Sequence, residues 1–105
     1  MYFEEKIFFS IMTPLNIEVR TTKNYWLYIT TIKHPIMKGK KEAVKNTLKF
    51  PDEIKQSRTD RNVFLYYKLI DRLYCVVVKN SGMKGFIITA YPTEKVKEGD
   101  VIWTR

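Results

Sequence analysis

One histidine, His34, one cysteine, Cys75, and seven tyrosines are the groups from which this chain must assemble any acid, base or nucleophile. His34 stands directly before Pro35 and among Lys33, Lys38, Lys40 and Lys41. A residue preceding proline is pushed out of the α region, so His34 marks the end of a helix. There the helix dipole favours the imidazolium form, and the lysines attract phosphate. His34 is therefore a candidate general acid, general base or phosphate ligand, with a structural helix cap as the other reading. Arg58 and Arg61 carry guanidinium forks suited to phosphate, or else form a charged surface turn.

A single histidine excludes a two-histidine acid/base pair and a multi-histidine zinc site. Asp52 and Glu53 are adjacent and point apart in an extended chain, which argues against a carboxylate-held metal. No phosphate-cradling glycine pattern occurs. Neither a metal nor a cofactor is expected. Cys75 lies in the apolar run Leu73 to Val78 and reads as buried packing, because a thiol in such surroundings ionises reluctantly.

Three strand-like runs over 62–91, NVFLYYKLI, RLYCVVVK and GFIITAY, place the tyrosines. β-branched and aromatic residues separated by Asp71-Arg72 and Asn80-Ser81-Gly82 predict an antiparallel meander. Alternation puts Val63, Leu65, Tyr67 and Leu69 on one face, and sets Ile87, Thr89 and Tyr91 against Phe86, Ile88 and Ala90. Ahead of the meander, Tyr25, Ile29 and Ile32 follow a helical spacing over about 23–33, with Asn24 as cap and Pro35 as stop. A second amphipathic helix is predicted over 40–49, ended by Pro51. Ile17 to Thr21 alternates as an edge strand does, Glu53 to Ser57 extends toward the sheet, and Val101 to Trp103 forms a last strand or apolar latch. Residues 1–12 are an aromatic-rich extension with the character of an edge strand.

With 105 residues, 45% of them hydrophobic, the expectation is one domain with one core. The balance of 19 Lys+Arg against 11 Asp+Glu gives a formal charge of +8, a field that attracts polyanions such as RNA, DNA or an acidic protein. No apolar run approaches the roughly 20 residues of a membrane span. Glu4 and Glu5 stand where a signal peptide carries positive charge, so a cytoplasmic protein is expected.

The ordered pieces KHPIMKG, VKNTLKFPDEIKQSRTD, LYY and VVVKNSGMKGFIITAYPTEKVKEGDVIW resemble a family of small phage- and bacteria-associated domains grouped with barnase, EndoU, colicin and RelE-like ribonucleases. The likeness runs from about residue 17 to the end. It implies an α+β fold with N-terminal helices packed on a four-stranded antiparallel sheet, and metal-independent RNA cleavage on the exposed face. Carried onto this chain, it implies a site at His34, Arg58, Tyr67, Thr89 and Tyr91, with Ser57 and Asp60 supporting the loop. Metal-free cleavage through a 2′,3′-cyclic phosphate needs a base for the ribose 2′-OH, cations for the phosphorane-like transition state, and an acid for the leaving 5′-oxygen. His34 suits the first or third role, Arg58 with Lys68 or Lys79 the second, and Tyr67 or Tyr91 the remaining proton. The expected partners are RNA, including tRNA or ribosome-bound mRNA, and an acidic inhibitor protein. A non-catalytic basic RNA-binding or protein-interaction module is the competing class, and a metal-dependent DNA nuclease a further one.

Overall fold

The computed structural model describes residues 6–97 and 99–105. Its framework is a seven-stranded mixed sheet in the order β1-β2-β6-β5-β4-β3-β7. The strands are β1 (Ile7–Met12), β2 (Glu18–Thr22), β3 (Glu53–Gln56), β4 (Val63–Leu69), β5 (Leu73–Ser81), β6 (Lys84–Pro92) and β7 (Asp100–Thr104). Two short helices, α1 (Lys23–Tyr28) and α2 (Lys41–Lys49), pack on one face. This corrects the expectation of N-terminal helices on a four-stranded antiparallel sheet. Two strands precede the helices, and β2 runs parallel to β6, with Glu18, Val19 and Arg20 opposite Lys84, Gly85 and Phe86.

The meander forms as its alternation dictates, with Tyr67 opposite Cys75 and Cys75 opposite Tyr91. Gly82 takes φ 63° in the tight β5–β6 turn, a conformation without steric cost for glycine. The Ile17–Thr21 segment is not an edge, because β1 covers its outer side. β1 and β2 are joined through Asn16 at φ 61°, a left-handed position that asparagine tolerates. The segments called an N-terminal extension and an apolar latch supply the two true edges, β1 and β7. Residues 1–5 of the first, and Glu98 ahead of the second in sequence, lie outside the described residues.

The helix expected over 23–33 divides in two. Thr22, not Asn24, caps α1, its hydroxyl accepting the Tyr25 N–H at 3.1 Å. After Tyr28 the chain widens into one turn over Ile29–Lys33, where the His34 N–H reaches back five residues to the Ile29 carbonyl at 2.7 Å. Such widened turns admit an extra residue and re-aim the side chains after them. Pro35 then opens a single tight turn, Pro35–Met37.

The main core lies between the helices and the sheet. Val19, Ile29, Met37, Val44, Leu48, Ile54, Tyr66, Val76, Val78 and Ala90 are fully buried there. On the opposite face a smaller cluster of Leu65, Tyr67 and Cys75 is flanked by Leu73, Val77, Tyr91 and Val96. That second cluster holds three of the groups singled out in the sequence. Cys75 is buried as expected, whereas Val77 and Ile88, expected from their strand positions to be buried with it, are half-buried.

Candidate functional site

An irregularity in β6 positions the site. Val78 pairs with Ile87 and Val77 with Thr89, so Ile88 is an extra residue in the ladder. A bulge of this kind shifts the alternation by one. Ile87 therefore turns into the main core, and Phe86 joins Thr89 and Tyr91 on the outer face. This overturns the facing expected from uninterrupted alternation, which grouped Ile87 with Thr89 and Tyr91. The displaced Ile88 carbonyl accepts hydrogen bonds from the Tyr25 hydroxyl at 2.8 Å and from Lys33 Nζ at 3.0 Å. Lys33 also lies over the Tyr25 and Tyr28 rings, 5.7 and 5.6 Å from their centroids. The base of the His34 loop is thus tied directly to the sheet.

His34 is half-buried, its ring centroid 5.1 Å from that of Tyr91. The Lys97 ammonium covers the same tyrosine ring at 4.8 Å. Burial first, and then the charges of Lys33 and Lys97, hold the His34 pKa below its ordinary value. This reverses the expectation that a helix terminus would favour the imidazolium. The widened turn donates no compensating charge, while desolvation and two cations oppose protonation. His34 is consequently neutral at pH 7, the state a general base requires.

The hydroxyls around it differ in role. Tyr67 is 1% exposed, and its hydroxyl accepts the Lys97 backbone N–H at 3.1 Å. It anchors the segment that carries Lys97 instead of meeting a ligand. Burial pushes the phenols of Tyr67 and Tyr91 well above their usual pKa, and both lie against the Cys75 thiol, itself raised to about 11. All three groups stay protonated at neutral pH. Thr89 Oγ1 is buried and has no hydrogen-bond partner among the described residues. Tyr66 takes the other face, where its hydroxyl donates to Thr13 Oγ1 at 3.2 Å.

Arg58 and Arg61 are not part of this constellation. Their loop leaves the ends of β3 and β4 where Val63 pairs with Lys79. Lys79 is four residues along β5 from Cys75, about 13 Å, and β3 lies three strands across from β6. His34 and Arg58 therefore do not share a site. Asp100 binds both arginines, Arg58 Nε at 3.2 Å and Arg61 Nη1 at 2.7 Å. Ser57 Oγ accepts the N–H groups of Thr59 and Asp60, as a loop support should. Asp60 in turn pairs with Lys79. Lys68 faces Asp52 and donates to the Phe50 carbonyl at 2.7 Å. Four of the cations expected to meet phosphate are thus engaged by the protein itself.

Of the remaining lysines, Lys41 lies over the Phe8 ring at 4.8 Å, Lys40 contributes to lowering the Asp71 pKa, and Lys38 is exposed. Lys97 was missed in the sequence, where nothing distinguishes it from Lys95. Only the return of the 93–97 segment across the outer face brings it over Tyr91. Among the described residues no three His, Cys, Asp or Glu side chains gather as metal ligands, and no helix is long and apolar enough to cross a membrane. Comparison of the chain with protein-family models, with curated proteins and with solved structures finds no match.

Proposed function

We propose that the chain is a metal-independent endoribonuclease whose site is the end of the sheet formed by His34, Tyr91, Thr89 and Lys97. The observation that carries this reading is a half-buried imidazole packed on Tyr91, whose ring the Lys97 ammonium also covers, with burial and the charges of Lys33 and Lys97 holding the imidazole pKa down. Neutral His34 takes the proton of a ribose 2′-OH as that oxygen attacks phosphorus. The P–O5′ bond breaks, and the departing oxygen takes a proton from the Lys97 ammonium, leaving a 2′,3′-cyclic phosphate. On this reading the same ammonium also offsets the charge that grows on the phosphorane oxygens, the stabilisation such a transition state needs. Thr89, its Oγ1 buried, supports the face beside Tyr91 and does not meet the phosphate.

Incubation of the purified protein with total RNA and tRNA in excess EDTA tests the reading. The expected products carry 2′,3′-cyclic phosphate ends, and their formation is abolished in His34→Ala. The inward-facing Tyr67 and Tyr91 hydroxyls favour a second reading, a basic RNA-binding module without chemistry. Salt-sensitive RNA affinity with no cleavage under any of these conditions would establish it in place of the nuclease.

A further inference from the structure

β2 and β6 pair only as far as Arg20 and Phe86. Beyond them β2 turns into α1 while β6 bulges at Ile88, and a cleft of about 530 Å³ opens between the two, lined by Ile7, Arg20, Thr21, Tyr25 and Phe86 among others. That volume is within the usual range of small-ligand sites. Phe86 is 54% exposed at the cleft, and Arg20 is exposed beside it. Thr21 is 3% exposed and turns with Val19 toward the core, so it closes the floor of the cleft.

An open aromatic face and an adjacent guanidinium at the rim of a concave cleft together match a planar heterocycle attached to a phosphate. The cleft is also in line with the site already described. Phe86, Thr89 and Tyr91 follow one another on the same face of β6, opposite Lys79, Val77 and Cys75, and three residues of strand span on the order of 10 Å. We propose that this cleft is a nucleobase subsite, in which a base of single-stranded RNA stacks on Phe86 above a floor formed by Thr21 and Ile87 and leaves its phosphate to Arg20. The proposal rests on RNA being the ligand of the His34 site, but it requires no cleavage.

The test is equilibrium binding of a short 2′-O-methyl oligonucleotide, which lacks the attacking 2′-OH, beside the same sugar-phosphate backbone without bases. Phe86→Ala and Phe86→Leu should each weaken binding of the base-bearing strand by about fivefold or more, as the loss of a stacking platform does, and leave the abasic strand unchanged. An equal loss on both strands, no loss on either, or no measurable affinity in the wild type would overturn the subsite. Base-dependent binding through Phe86 without cleavage of ordinary RNA would retain the subsite and overturn the nuclease. Cleavage with Phe86 indifferent would do the reverse.

Discussion

The two ends of the outer sheet face carry cations in opposite states. At the Ser57–Arg61 end every cation named has a carboxylate: Asp100 holds Arg58 and Arg61, and Asp60 holds Lys79. At the His34 end, Lys33 and Lys97 lie against aromatic rings and a carbonyl, with no carboxylate bound to either among the described residues. A positive charge already paired within the fold adds little attraction for phosphate, whereas one set on a ring keeps its field. The contrast teaches that in a +8 chain the cations left open to an anion are marked by where acids are missing, more than by where bases are dense.

Substitution can break that contrast. His34→Ala should lower single-turnover RNA cleavage by about 10² or more, the usual contribution of an acid/base group, with the circular dichroism spectrum unchanged. Arg58→Ala should leave the rate within about threefold under the same conditions; a fall as large as that of His34→Ala would mean the two ends act together. Lys97→Ala should cost roughly tenfold in rate and reduce the salt dependence of binding, while Lys79→Ala changes neither.

The pH response sharpens the same comparison. The folded His34 binds a proton less readily than the unfolded chain, so both cleavage and stability should fall as pH drops from about 6.5 through the lowered His34 value, and level off above it. His34→Gln should remove that component from a thermal-shift titration. Asp60 and Asp100 have pKa values lowered by their cation partners, and their contribution fades at more acidic pH, as those carboxylates protonate. The smallest effect expected is that of Tyr67→Phe, about 1 kcal/mol for one hydrogen bond to the Lys97 backbone, measured by denaturant unfolding.

The meander and both helix stops were legible because they rest on local chemistry: alternation, turn residues and proline. The parallel β2–β6 pairing was not, since no local signal marks residues 18–20 as partners of 84–86. The Ile88 bulge was equally silent, as one extra residue inside a run of apolar strand formers leaves the composition unchanged. His34 and Tyr91 were named from the sequence and do meet. Arg58 was named and does not join them, because guanidinium preference for phosphate is read from residue type, while its claim by Asp100 some forty residues later depends on β7 docking beside β3.

The parallel pairing has a bearing on when the molecule acquires chemistry. His34 lies in the crossover between β2 and β3, and its stacking partner Tyr91 arrives on the third strand of the meander, more than fifty residues later. Closing so long a loop is entropically slow. A growing chain carries His34 for the whole interval without the ring against which it packs. Under the nuclease reading, the nascent protein is harmless to the RNA that encodes it until β6 has emerged and β2 has aligned along it.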